Sequence, residues 1–253
     1  MLKWCIRYIN SINTIQIIKR KFFIFCNKRF SYLPTNQLIY FKSNNTTITD
    51  EELKQFTNLT YLNLYENKNI TNKGLKYVPN LTKLELVYNE NITDEGLKYL
   101  PNLTTLYLLS NQNITNKGLK YLYKLTDLYL NINKNITDDG LKYLHKLTHL
   151  NLRYNENITD EGLKYLPNLT YLNFYINKNI TDEGLKYIPN LRQLEFYCNR
   201  NITDEGLKYL PNLTHLFILN NRNITNEGLK YLPNLKQYYL ICQFPPFYEE
   251  TFT

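Results

Sequence analysis

Residues 91–104 read NITDEGLKYLPNLT, and copies of this string carry every glycine of the 253-residue chain: Gly74, Gly96, Gly118, Gly140, Gly162, Gly184, Gly206 and Gly228, each 22 residues after the last. A fixed period of about 20 to 29 residues marks a solenoid, whose units are too small to bury their own apolar face and must stack on one another. The chain therefore reads as one array with ends. The one or two globular domains that its length would otherwise predict do not apply.

We number each unit from the Leu after the Pro-Asn step, so that Leu59, Leu81 and Leu103 are position 1. Position 4 runs Leu62, Leu84, Leu106 to Leu216 and ends on Tyr238, and position 6 runs Leu64, Leu86 to Phe174, Phe196, Ile218 and Leu240. This alternation is the inward face of a short strand. Position 9 is Asn from Asn67 to Asn221, and an amide just after a buried strand can donate and accept between adjacent coils. Ile at position 12 returns the chain to the core, and Thr at position 13 (Thr71, Thr93, Thr115) is suited to cap a helix. Lys at position 18 stands four residues after position 14, which predicts an i,i+4 pair such as Asp94 with Lys98. Proline at position 21 (Pro79, Pro101, Pro167) is expected to stop the helix after about two turns. The position-16 glycine shares an inward stripe with its apolar neighbours, which points to close approach of the helix to a strand or to the next coil.

The string LxxLxLxxN resembles the leucine-rich repeat signature over about residues 44–243, and NITDEGLKYL is similar to the ITDxGLxxL variant of F-box-associated and cysteine-containing repeats. The resemblance implies an α/β leucine-rich repeat solenoid: a curved, parallel β-sheet on the concave face and short helices on the convex face. Residues 37–243 form an array of about nine to ten units. Residues 37–58 are a degraded first unit with Glu52 in the glycine position and Gln55 in the tyrosine position. Residues 1–36 form a basic N-terminal segment, read as a cap or docking helix, and residues 244–253 form a C-terminal tail or cap.

Charge separates these parts. The formal net charge is +8, but residues 1–36 hold Lys3, Arg7, Lys19, Arg20, Lys21, Lys28 and Arg29 and no acid. The rest is nearly balanced, so a field for phosphate would come only from the N-terminus, and the array itself argues against nucleic acid as partner. Cys5, Cys26, Cys198 and Cys242 form no CxxC pair, and Cys198 and Cys242 share a repeat position two coils apart, roughly 10 Å and beyond disulfide reach. No run has the 18 or more apolar residues of a membrane helix, and Arg7, Asn10, Asn13 and Gln16 interrupt any signal-peptide core. These points favour a cytoplasmic, monomeric protein. Asn-Ile-Thr occurs eight times and Asn-Leu-Thr five times; these are glycosylation acceptors in a secreted protein and mere repeat consensus in an intracellular one, the reading preferred here. The weight of Asn, Ile, Lys and Tyr fits an AT-rich genome such as that of a large DNA virus, whose protein would act in the host cytoplasm, or of a similarly AT-rich protist.

Chemistry is scarce. His145 and His149 mimic the spacing of a helical metal pair, but position 21 lies past the helix and position 3 lies on the strand, with no further ligands nearby. No phosphate loop or assembled nucleophile and base occurs, so no catalytic, metal or cofactor residues are expected. With positions 4 and 6 buried, positions 3, 5, 7 and 8 point to the concave side or its rim, and variation concentrates at 3, 5 and 7. Fifteen aromatic and charged members there are the expected partner-binding residues: Tyr61, Tyr65, Glu85, Tyr107, Asp127, Tyr129, His149, Arg153, Tyr171, Tyr175, Glu195, Tyr197, His215, Phe217 and Tyr239. The expected function is a non-enzymatic scaffold holding a protein or peptide on its concave face. The alternatives are an F-box-like substrate receptor of a ubiquitin ligase, and nucleic-acid or membrane-surface binding through residues 1–36.

Overall fold

The structure, a computed structural model, describes the backbone of residues 40–42 and all of residues 48–241. Expectations for residues 1–36 and 244–253, and for Cys5, Cys26 and Cys242, lie outside the described residues. The elements alternate strictly. Strands β1 (Tyr40–Lys42), β2 (Tyr61–Asn63), β3 (Lys83–Glu85), β4 (Thr105–Tyr107), β5 (Asp127–Tyr129), β6 (His149–Arg153), β7 (Tyr171–Tyr175), β8 (Gln193–Tyr197), β9 (His215–Leu219) and β10 (Gln237–Ile241) are separated by four-residue helices, the first at Asp50–Leu53 and the last at Asn226–Leu229. The ten strands form one parallel sheet in chain order. Register follows the period, with Leu62 opposite Leu84 and Leu84 opposite Leu106. The first junction departs from it. A spacing of 22 would set Tyr40 against Leu62, but Phe41 stands there.

The core is a column of leucines. Leu84, Leu86, Ile92, Leu97, Leu100 and Leu103 are fully buried, and the same six positions recur in the neighbouring coils. At about 1.5–3 kcal/mol per buried aliphatic side chain, one coil cannot offset its own ordering entropy, and stacking supplies the second wall. At the C-terminal end the column opens. Tyr238 occupies an inward position yet is 52% exposed, since among the described residues no further coil packs on it.

Between coils the connections are amide and hydroxyl ladders. Asn89 Nδ2 donates to the Asn67 carbonyl of the preceding coil at 2.7 Å, while its Oδ1 accepts from the N–H groups of Asn91 and Ile92 in its own coil. The position-9 Asn thus donates between coils as the sequence predicts, but it accepts within its own coil and not across. Two further ladders run beside it: Asn91 Nδ2 donates to the Lys68 carbonyl, and Asn102 Nδ2 donates to the Pro79 carbonyl. Asn91 and Asn102 begin Asn-Ile-Thr and Asn-Leu-Thr, so a glycan on either Nδ2 would displace an inter-coil bond.

Position 14 acts across coils, which corrects the expected pairing of Asp94 with Lys98. Asp94 Oδ1 accepts the backbone N–H of Thr115 in the next coil at 2.8 Å, and Oδ2 accepts its hydroxyl proton at 2.7 Å. With its carboxylate engaged there, Lys98 pairs instead with Glu95 at i,i+3, at 2.5 Å, an exposed contact of small consequence. The Thr115 hydroxyl, its proton fixed on Asp94, then accepts from Lys117 N and caps its helix. Where position 14 is Asn the chemistry inverts. Asn72 and Asn116 donate Nδ2 to the hydroxyls of Thr93 and Thr137, and those two threonines accept no backbone N–H.

The helices are single turns, not two. Helices Asn116–Leu119 and Asp138–Leu141 have the common length although Tyr123 and His145 replace proline in their coils, so proline does not set the stop. Spacing does. Leu97, Leu100 and Leu103 are three residues apart and all fully buried, and a chain making i→i−3 bonds (Tyr99 N to Gly96 O, Leu100 N to Leu97 O) aligns every third residue.

At position 8 each coil from Glu66 to Asn220 carries a non-glycine residue in the left-handed region, with φ between 50° and 58°. Its N–H continues the ladder, as Ile176 N donates to Tyr197 O. For β-branched Ile132 and Ile176 this conformation is strained. Ile176→Asn is expected to stabilise the array by about 0.5–1 kcal/mol, since Asn tolerates this region and Ile does not. A rise in the urea midpoint would show it; an unchanged or lower midpoint would mean that the partial burial of Ile176 outweighs the strain.

Candidate binding surface

Strand positions 3, 5 and 7 share the sheet face opposite the leucine column, and in β6 to β9 the burial alternates accordingly. Parallel register stacks like positions directly, so side chains on this face meet across coils. Tyr107 and Tyr129 stack with centroids 4.0 Å apart and planes within 7°. Tyr175 stacks on Tyr197 at 4.4 Å, Tyr154 leans on Tyr175 at 4.6 Å, and the Arg153 guanidinium lies 5.6 Å over the Tyr175 ring. These are the two aromatic centres of the face, and their members are half-buried, each ring leaving part of its surface open.

Glu85 and Glu195 stand in matching boxes. Glu85 accepts from Tyr61 Oη and Asn63 Nδ2, both at 2.5 Å, and meets Lys83 Nζ at 3.0 Å. Lys83 in turn lies 4.5 Å over the Tyr61 ring and 4.8 Å over Tyr107. Glu195 accepts from Asn173 Nδ2 (2.5 Å), Gln193 Nε2 (2.5 Å) and Tyr171 Oη (3.3 Å). Gln193 stands where Lys83 does, so amides and a phenol, not an ammonium, hold the second carboxylate. Between the boxes Asp127 accepts from Thr126 Oγ1 and lies 3.4 Å from His149 Nδ1, and His149 stacks on Tyr171. His149 thus faces a carboxylate and a ring on the sheet. His215 lies beside Phe217, Tyr65 meets Tyr88 edge-on, and Tyr239 is 58% exposed on β10.

The structure brings most of the expected residues onto one face but divides them. Glu85 is enclosed by its own donors, and Asn63 and Val87, although at outward positions, are buried. Tyr88 and Tyr154 sit at position 8, expected on this side or its rim, but were not among the expected residues; Tyr154 belongs to the second aromatic centre, and Tyr88 meets Tyr65 edge-on. Their signal was available in sequence, as bulky residues directly following position 7. Asn131 Oδ1 is a buried acceptor without a hydrogen-bond partner, and nothing in the structure explains it.

Burial raises the Tyr107, Tyr129 and Tyr175 hydroxyls above the ordinary phenol value; the Tyr129 hydrogen bond adds to this for Tyr107, and neighbouring Tyr154 for Tyr175. A raised folded value means the contribution to stability is whole below the unfolded tyrosine value of about 10 and is lost as pH climbs from there toward the folded values. We expect stability to fall above pH about 10 and the fall to be blunted in Tyr107→Phe/Tyr175→Phe, measured by urea denaturation against pH. Equal pH slopes in both proteins would refute it.

Among the described residues no helix is long and apolar enough to cross a membrane. A family model described as Leucine Rich repeat matches residues 57–78, 79–100, 99–122, 143–166, 165–188 and 187–210, together more than half of the chain. No curated protein sequence matches the chain. Among solved structures, internalin C2 of Listeria monocytogenes is similar over 76% of this chain and 84% of its own, with 31% identity and a TM-score of 0.60. Internalin inlF of the same organism is similar at 28% identity over 80% of this chain and 67% of its own, TM-score 0.57. TLR13, solved as a complex with ssRNA13, shares the fold at 20% identity over 83% of this chain and 37% of its own, TM-score 0.62. Period, parallel single-sheet topology and family match agree that the chain belongs to the leucine-rich repeat family.

Proposed function

We propose that the protein is a non-enzymatic interaction scaffold that holds a protein or peptide partner against the outer face of its sheet. One observation carries the reading: the frame repeats almost verbatim, while the outward strand positions differ from coil to coil and gather into two half-open aromatic centres, Tyr107 with Tyr129 and Tyr154 with Tyr175 and Tyr197. Stacked tyrosines are rigid, offer large apolar area at small entropic cost and keep a polar edge, which is the composition of interface anchors. Arg153 beside Tyr175 adds a planar cation for a partner's carboxylate or carbonyl. The likeness to internalins supports a scaffold role; the readings built on residues 1–36 lie outside the described residues.

The test compares cross-linked partners of the wild type, a sheet variant (Tyr129→Ala, Arg153→Ala, Tyr175→Ala) and a helix-side variant (Lys98→Ala, Lys186→Ala), each checked for an unchanged circular dichroism spectrum. Partners should disappear from the sheet variant and persist in the helix-side one. Retention of every partner by the sheet variant would refute the reading.

A further inference from the structure

Along one edge of the sheet, where each Pro-Asn step meets position 2, lies a polar groove of about 660 Å³ lined by Asn168, Asn190, Asn212, Asn234, Arg192 and Lys236, with two threonines between them. The segments that build it, residues 167–171, 189–193, 211–215 and 233–237, contain no Asp or Glu. Arg192 and Lys236 are exposed, and neither side chain makes an ion pair or hydrogen bond among the described residues. This sets them apart from the position-18 lysines, which glutamates hold wherever position 15 is Glu, as in Lys98 with Glu95. The four asparagines are oriented by the frame. Each donates Nδ2 to the carbonyl of the preceding coil, as Asn190 does to Pro167 O at 3.0 Å and Asn212 to Pro189 O at 3.1 Å. Among the described residues no donor reaches the Oδ1 of any of the four.

We propose that this groove binds an extended acidic peptide segment, with its carboxylates on Arg192 and Lys236 and its backbone N–H groups on the asparagine Oδ1 atoms. The groove asks for negative charge and hydrogen-bond donors together. A peptide brings an N–H at every residue but proline, whereas a phosphodiester chain brings charge without donors along its backbone. Spacing agrees. Arg192 and Lys236 share a repeat position two coils apart, about 9.6 Å at ordinary strand separation, and three residues of a polyproline-like chain rise about 9.3 Å and return to the same face. The groove thus selects acids three residues apart. It is separate from the sheet-face aromatic centres and does not depend on them.

The probe is a fluorescent peptide of repeating Glu-Ala-Pro, titrated with the full chain and followed by anisotropy, beside a Lys-Ala-Pro control and an oligothymidylate of matching length. The acidic peptide should bind and the basic one should not. Arg192→Glu/Lys236→Glu should weaken binding by on the order of tenfold or more, Arg192→Gln/Lys236→Gln by less, and the Tyr129, Arg153 and Tyr175 sheet variant should leave it unchanged. No binding at millimolar peptide, equal binding by the charge-reversed variant, or oligothymidylate binding as tightly as the acidic peptide would each overturn the assignment.

Discussion

Asn177→Ala is expected to destabilise the array by about 4 kcal/mol, far more than a typical polar substitution. Asn177 is fully buried. Its Nδ2 donates to Asn155 O and Ile158 O, both at 2.8 Å, and its Oδ1 accepts from Asn179 N at 2.8 Å and Ile180 N at 3.1 Å. A methyl group strands these backbone groups where water has no access, and each stranded group costs about 1–3 kcal/mol. The neighbouring Asn179 gives the contrast. It is exposed, with one inter-coil bond to Glu156 O, and Asn179→Ala should cost about 1 kcal/mol or less. Because a repeat array opens coil by coil, the measurement is hydrogen exchange at Ile180 together with urea denaturation. Comparable costs for the two variants would show that the buried ladder is no more important than its exposed companion.

The second large effect has the opposite sign to what local propensity predicts. Gly184 sits at the third position of a helix with ordinary backbone angles, since no glycine here has positive φ, so Ala would by itself be favoured by about 0.5–1 kcal/mol. An added Cβ would lie 2.1 Å from Asp160 Oδ1 and 2.9 Å from its Cγ. That carboxylate cannot yield freely, because it accepts from Thr181 N at 2.8 Å and from Thr181 Oγ1 at 2.7 Å. Gly184→Ala is expected to cost about 3 kcal/mol through overpacking and the loss of charge-assisted bonds. Asp160→Ala removes the obstacle, so the double variant should cost less than the sum of the singles by more than about 1 kcal/mol. Additive costs, or a stabilised Gly184→Ala, would break the argument.

These two sites mark how far sequence reaches. Periodicity identified the leucine column, the position-9 amides and the outward face, because burial on a strand or a turn leaves a residue pattern. Close approach at the glycine was legible, but as approach to a strand or to the next coil, whereas the atom approached, Asp160 Oδ1, lies on the preceding coil. Asp94 looked like the partner of Lys98 because local pairing rules look four residues ahead, whereas its real partner, Thr115, lies 21 residues on. Helix length was misjudged because proline is a visible stop, while the three-residue leucine spacing that sets the turn geometry is legible only when the whole coil must close. Within the candidate face, outward position did not imply availability: Glu85 is enclosed by donors from two coils, a matter of cross-strand neighbours and not of position.

The inter-coil contact, which past the first junction repeats apart from Asp or Asn at position 14, also bears on how such a chain changes over generations. Each coil presents to its successor the surface that its predecessor presented to it, so a gain or loss of one 22-residue segment joins edges that already fit. Length becomes a variable that recombination can alter without redesigning a junction. The face is carried along with it: the Tyr61, Asn63 and Glu85 box reappears five coils later as Tyr171, Asn173 and Glu195, with Gln193 in place of Lys83 and a different charge. A copied segment of wall, altered at one position, yields a second recognition element on a frame that needed no alteration to accept it.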